Sequence, residues 1–132
     1  MTIQSQASNT SIRPILYANA VFSGLSGLIF SVASKAISAF LGIDAPIIIL
    51  AIGLDLILFA GLLYYFGSRP TISRNFVLFA IIADSIWVLG SILLLLTDWA
   101  AFSVEGKWAI GILAIIVDIF AALQFFKWRK MD

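Results

Sequence analysis

Four apolar stretches constrain the fold of this chain more than any other feature. Each is about 20 residues or longer, the length that a helix needs to cross the ~30 Å hydrocarbon core of a bilayer. Hydrophobic residues make up 62% of the 132 residues and charged residues only 11%, whereas a soluble domain is about half apolar and about a quarter charged. We therefore predict an all-α fold, a four-helix transmembrane bundle. The predicted spans cover residues 15–41, 45–66, 72–96 and 106–126.

The connections and the charges predict a topology for this bundle. Residues 1–11 are expected to form a polar N-terminal tail, and residues 12–132 a single transmembrane domain. Short connections favour antiparallel neighbours. The positive-inside rule then predicts that both termini are cytoplasmic, because, with Lys35 and Lys107 toward one side, six of the eight basic residues fall on the opposite side: Arg13, Arg69, Arg74, Lys127, Arg129 and Lys130.

The basic residues after the fourth stretch have a second expected role. Lys127, Arg129 and Lys130 lie next to Trp128, which gives the end of the chain a basic and aromatic character. Such clusters bind the anionic surface of the cytoplasmic leaflet. We expect these three side chains to anchor the protein at the lipid surface.

The absence of cysteine and histidine excludes several kinds of chemistry. The sequence contains neither residue, so disulfides, thiol redox chemistry, the usual zinc ligands and Cys or His haem ligands are not available. The side chain that most often acts as acid or base near neutral pH is also missing. We expect no enzyme activity, no catalytic residue, no metal, no cofactor and no nucleic-acid partner. The lipid bilayer is the one partner that composition predicts directly.

Three aspartates, Asp55, Asp84 and Asp118, lie deep inside the apolar stretches. Asp84 follows Arg74 by ten residues, which is about 15 Å at 1.5 Å per helical residue. A carboxylate at the centre of a membrane helix costs about 2.5–3.5 kcal/mol. We expect Asp84 and Asp118 to face the interior of the bundle, because a carboxyl group facing lipid would lack any partner.

A polar stripe on the first span offers partners for these carboxyl groups. Asn19, Ser23 and Ser26 follow one another at i, i+4 and i+7, which places them on one face of a helix. We predict that Asn19 or Ser23 lies within hydrogen-bonding reach of an aspartate. Two interpretations remain open: neutral carboxyl groups that hold helices together by hydrogen bonds, or a carboxyl cluster that binds protons or cations.

Small residues predict where helices pack closely. Gly24, Gly27, Gly90 and Ala122 are expected at helix contacts, since small side chains let membrane helices approach one another. Gln124, near the end of the fourth stretch, is expected at the membrane interface. The packing residues favour association with a second copy or with a larger membrane complex.

Two segments carry a resemblance to other proteins. The run Asn19-Ala20-Val21-Phe22-Ser23-Gly24-Leu25-Ser26-Gly27 and the run Ala83-Asp84-Ser85-Ile86-Trp87-Val88-Leu89-Gly90 are similar to a loosely defined group of small four-span bacterial membrane proteins. The resemblance implies a multi-pass protein of the bacterial inner membrane and assigns no functional residues.

Two functions are compatible with the sequence. The first is a small accessory or scaffold protein that packs through Gly, Ala and Ser faces in a homo-oligomeric or larger membrane assembly. The second is a small proton- or cation-coupled transporter that works as a dimer through Asp55, Asp84 and Asp118. The position of the carboxyl groups separates the two, because carboxyl groups converging on one cavity favour transport.

Overall fold

The computed structural model is all-helical over the residues it describes, 3–97 and 101–131, with side chains from Ile12 onward. Four of the helices are long and apolar enough to cross a membrane. The prediction of an all-α fold with four membrane-length helices is confirmed. The helices are α1 (Ile3–Val32), α2 (Ser34–Leu41), α3 (Pro46–Gly67), α4 (Arg74–Leu96) and α5 (Val104–Trp128).

The first predicted span is divided in the structure. Residues 15–41 were expected to form one helix, but α1 ends at Val32, and Ala33 leaves helical geometry with φ −109° and ψ 31°. Only Ile12–Val32 of this region has the length and hydropathy of a membrane span. The helix also begins earlier than predicted, because its backbone continues back to Ile3 through the segment expected as a polar tail.

The short helix α2 ends in a left-handed glycine. Gly42 has φ 79°. Glycine adopts this conformation at little cost because it lacks a Cβ atom. Its N–H group bonds to the Ala39 carbonyl at 3.0 Å, and the N–H of Ile43 bonds to the Ser38 carbonyl at 3.1 Å. This pattern closes the end of a helix and reverses the chain, so α2 leads directly into α3.

Serine side chains cap the two remaining long helices. The Ser73 hydroxyl accepts a hydrogen bond from the Phe76 N–H at the start of α4, and the Ser103 hydroxyl accepts one from the Gly106 N–H at the start of α5. Each satisfies a backbone donor that the first turn of a helix leaves free. The bounds of α3, α4 and α5 differ from the predicted spans by no more than two residues.

The long helices pack as two pairs. α1 packs along α3, α4 packs along α5, and contacts between α1 and α5 join the pairs, whereas α3 and α4 make few close backbone contacts. At the α1–α3 crossing, a Cβ atom added to Gly27 would lie 2.7 Å from the Gly53 carbonyl oxygen. The backbones of α1 and α3 therefore come into contact where each helix carries a glycine.

The distribution of polar groups is the reverse of that in a soluble protein. Large apolar side chains are exposed along all four long helices, and Val32 and Leu96 reach exposed fractions of 87% and 78%. Inside the bundle, Asn19, Ser23 and Asp84 are buried. An apolar exterior around an interior that holds a few polar groups among apolar ones fits a multi-pass membrane protein, because hydrocarbon offers no hydrogen-bond partners.

Candidate functional site

Asn19 is the centre of a buried hydrogen-bond network that joins α1, α4 and α5. Its amide nitrogen donates to Asp84 Oδ2 at 2.9 Å and to Gln124 Oε1 at 3.0 Å. Its amide oxygen accepts a hydrogen bond from the Ser23 hydroxyl at 3.0 Å. Both amide hydrogens are therefore used, and Asn19 lies within reach of an aspartate as the sequence predicted.

Asp84 is held by two amide groups from two different helices. Besides Asn19, the Gln124 side-chain nitrogen donates to the same oxygen, Oδ2, at 2.9 Å. The Asp84 side chain is only 5% exposed. Its second oxygen, Oδ1, has no hydrogen-bond partner among the described residues and is not fully enclosed by them. The network thus fixes one carboxylate oxygen and leaves the other available.

Gln124 belongs to this site, although the sequence suggested an interfacial position for it. The residue is 0% exposed and bonds to both Asn19 and Asp84. The rotation of α5 turns this side chain into the bundle, where it bonds with α1 and α4. Val117, Ala121 and Gln124 follow the i, i+4, i+7 spacing of one helix face, and the structure buries all three.

Asp84 lines a cleft of about 180 Å³, which we call the acidic cleft. All four long helices contribute to its wall. Asp55 and Ser26 also line it, so the structure brings two of the three aspartates and two members of the polar stripe to one place. The other lining residues are Phe22, Ser23, Phe30, Leu56, Leu58, Phe59, Leu62, Phe79, Ala83, Trp87, Leu113 and Val117.

The acidic cleft opens onto the surface of the bundle along α3. Asp55 is exposed, and Leu58, one turn further, is 63% exposed. α3 and α4 meet mainly through aromatic rings: Phe59 contacts Phe79 with ring centroids 6.4 Å apart. This ring pair forms part of the wall of the cleft.

The expectation that Asp118 faces the interior is wrong. Its side chain is exposed, while Val117 beside it is buried. Successive helical residues differ by about 100° in direction, so the rotation that places Val117 and Gln124 inside turns Asp118 outward. No hydrogen bond joins its side chain to another described residue. Asp118 is therefore not part of the acidic cleft.

The residues expected at helix contacts divide into two groups. A Cβ atom added to Gly27 would clash with α3, and one added to Gly24 would lie at an ordinary 3.5 Å from Ala60 Cβ. By contrast, nothing lies within 4 Å of such an atom at Gly90, and Ala122 is exposed. The packing expected at Gly90 and Ala122 is therefore absent within a single chain.

The basic side chains near the ends of the helices make defined contacts. Arg13 donates to the Arg69 carbonyl at 2.9 Å. Arg74 lies over the Trp128 ring at 4.1 Å and donates to the Met131 carbonyl at 3.2 Å. Of the three residues expected at the lipid surface, Lys127 is half-buried, and Arg129 and Lys130 are exposed.

The described residues contain no group of three or more acidic, histidine or cysteine side chains that could hold a metal ion. Comparisons with protein-family models, with curated proteins and with solved structures find no match for the chain.

Proposed function

We propose that the protein is a small proton- or cation-coupled transporter whose binding site is the acidic cleft. The observation that carries the proposal is the position of Asp84, whose Oδ2 accepts two amide hydrogen bonds while its other oxygen remains available to a cleft that Asp55 also lines. Carboxyl groups in one site interact and take up protons or cations as a coupled set.

The cost of burying Asp84 supports a functional role. A carboxyl group at the centre of a membrane helix costs about 2.5–3.5 kcal/mol, and an amide at this position would form the same kinds of hydrogen bonds more cheaply. No basic side chain among the described residues lines the cleft to neutralise it. A bound cation or a proton would therefore neutralise the charge that Asp84 can carry.

The antiparallel arrangement and the position of the termini are part of the proposal. Hydrogen bonds from Arg13 to the Arg69 carbonyl and from Arg74 to the Met131 carbonyl support placing these basic residues at one end of the bundle. Together with the positive-inside rule, they support cytoplasmic termini in a bacterial inner membrane. Lys127, Arg129 and Lys130 would then contact anionic lipid.

The second candidate function, an accessory or scaffold protein, is favoured by a different surface. Asp118 and Ala122 are exposed one helical turn apart on α5. An exposed carboxyl group without a partner at this depth is costly in lipid, and a small residue beside it permits close approach of another helix. This face suits contact with a second copy or with another membrane protein, and it is compatible with a dimeric transporter.

Reconstituted protein tests the transporter proposal. Proteoliposomes filled with potassium buffer and enclosing a pH indicator or a sodium indicator are diluted into sodium or choline buffers of varied pH, so that valinomycin sets a potassium diffusion potential. Wild type should move protons or a cation above the rate of protein-free vesicles. Asp84→Asn should abolish this movement, because the amide keeps the shape but cannot titrate. Asp118→Asn is the matched control and should retain it, since Asp118 lies outside the cleft.

The outcomes separate the two functions. A wild-type protein indistinguishable from empty vesicles in every buffer would remove the transporter proposal. Loss of self-association in Ala122→Leu, measured by sedimentation in mild detergent, supports the α5 face as an assembly surface. For topology, a reporter that is active only in the periplasm, fused after Asp132, should be silent, and strong activity would contradict cytoplasmic termini.

A further inference from the structure

The acidic cleft has a composition that selects among cations. We propose that it binds a monovalent organic ammonium ion bearing an apolar group about the size of one aromatic ring. The inference rests on the proposed function, because it names the ligand class of the same cleft. Three features carry it: the unpaired carboxyl oxygens, the aromatic wall and the volume.

The polar groups of the site can accept hydrogen bonds but have few left to donate. Both Asn19 amide hydrogens are used, and the Ser23 hydroxyl donates to Asn19. Asp84 Oδ1 and the Asp55 carboxyl group make no hydrogen bond to the described residues. A ligand that brings both positive charge and N–H donors complements them, and a primary ammonium group brings three donors.

An inorganic cation is matched less well by the same residues. Calcium takes about six to eight oxygen ligands, and magnesium requires near-ideal octahedral geometry. Among the described residues, two aspartates and two serines supply the side-chain oxygens of the cleft wall, and Ser23 is already bonded within the network. Most of the wall is apolar, which suits the organic part of a ligand.

Aromatic residues share the wall of the cleft with the two aspartates. The side chains of Phe22, Phe30, Phe59, Phe79 and Trp87 all line the cleft. Ring faces attract cations, and tryptophan does so most strongly. The same rings pack favourably against an aromatic or aliphatic substituent. One wall therefore contacts both parts of an amphiphilic ammonium ion.

The size of the cleft limits the ligand. Its volume is about 180 Å³, whereas pockets for drug-sized molecules have about 300–1,000 Å³. An apolar cavity of about 150 Å³ holds benzene, so one ring and an ammonium group fit. The exposed positions of Asp55 and Leu58 indicate access from the bilayer, where amphiphilic amines accumulate.

Equilibrium binding of radiolabelled benzylamine, which is protonated at neutral pH, tests the inference on purified protein in lipid nanodiscs. Binding should saturate, and unlabelled benzylamine should displace it, whereas benzyl alcohol, a neutral molecule of similar shape, should not. Asp84→Asn and Asp55→Asn should each weaken binding by at least about tenfold, the effect of losing a charge-assisted hydrogen bond. Trp87→Leu should weaken it about fivefold by removing a cation–π contact.

Asp118→Asn is the matched control and should bind benzylamine with wild-type affinity. Because Asp55 is exposed, Asp55→Asn keeps the test informative if Asp84→Asn fails to fold. Binding that does not saturate, or that Asp118→Asn weakens as much as Asp55→Asn, would overturn the inference. Proton or sodium movement that depends on Asp84 without any benzylamine binding would also overturn it and leave the proposed function standing. Binding that depends on Asp55 and Asp84 without ion movement would support the ligand class and remove transport.

Discussion

The substitution Asn19→Leu should destabilise the bundle by about 2–4 kcal/mol, because it removes the centre of the polar network while keeping the same number of side-chain heavy atoms. Two lost hydrogen bonds cross between helices, and interhelical bonds in membranes average about 0.6 kcal/mol each. Gln124 Oε1 then loses its donor inside the bundle, where Gln124 is 0% exposed, and an orphaned buried acceptor costs about 1–3 kcal/mol.

Unfolding in mixed micelles measures this difference directly. The chain contains no cysteine, so a pair of cysteines can carry fluorescent labels without competing sites. Val21 on α1 and Ile86 on α4 are 61% and 64% exposed and suit this purpose. Energy transfer between the labels, followed during titration with a denaturing detergent, reports the separation of the helix pairs. Helical content does not report it, because membrane helices can remain helical after they separate.

Ser26→Ala supplies the control, since Ser26 lies on the same stripe but makes no hydrogen bond to another described residue. The free energy of unfolding of Ser26→Ala should differ from that of wild type by less than roughly 0.5 kcal/mol. A double-mutant cycle between Asn19→Leu and Gln124→Leu should show coupling, because the second substitution removes the acceptor that the first one orphans. An Asn19→Leu effect no larger than that of Ser26→Ala would refute the network as a source of stability.

Three further outcomes are expected in the same unfolding assay. Gly27→Val should cost about 1–3 kcal/mol by overpacking the α1–α3 crossing, whereas Gly90→Val should be near neutral because its surroundings are open; equal effects would contradict the crossing. Ser103→Ala should cost about 1–2 kcal/mol through loss of a helix cap and of a bond between α2 and α5, and an unchanged midpoint would argue against both contacts. Arg74→Gln should lose about 1 kcal/mol with the ring contact to Trp128, an effect that Trp128→Leu should reproduce without adding to it.

The polar stripe of α1 was predictable because it stands out against an apolar background. Asn19 and Ser23 are polar residues at i, i+4 spacing in a helix where few alternatives compete for the interior. Both are buried in the structure. Burial in a membrane bundle follows hydrogen-bonding need, so a rare polar face is a strong signal.

The direction of Asp118 was not predictable by the same reasoning. α5 is apolar on every side, and its exposed face carries Ile115 and Ile119 as readily as its buried face carries Val117. In lipid, apolar residues suit both the interior and the surface, so their pattern does not report rotation. Depth along the axis can be counted from the sequence, but the rotation of Asp118 depends on which face meets α4.

The sequence likewise gives little indication that the helix breaks between α1 and α2. Ala33, where the helix breaks, is a favourable helix residue, and neither proline nor glycine lies there. Further along the chain, the Ser38 hydroxyl donates to the Ile43 carbonyl and accepts from the Ala45 N–H, and these bonds fix the turn between α2 and α3. Helix propensity at Ala33 describes none of these contacts.

The network around Asn19 has a consequence for the order of biogenesis. Its partners Asp84 and Gln124 follow it by 65 and 105 residues, so a nascent chain inserts α1 long before those partners exist. Until α4 has been translated, Asn19 has only Ser23 within its own helix to bond with, and its bond to Gln124 must wait for α5. Release of ribosome-bound chains that stop before α5 should therefore yield a species that membrane quality control removes quickly, and pulse-chase labelling would show its half-life to be shorter than that of the full chain.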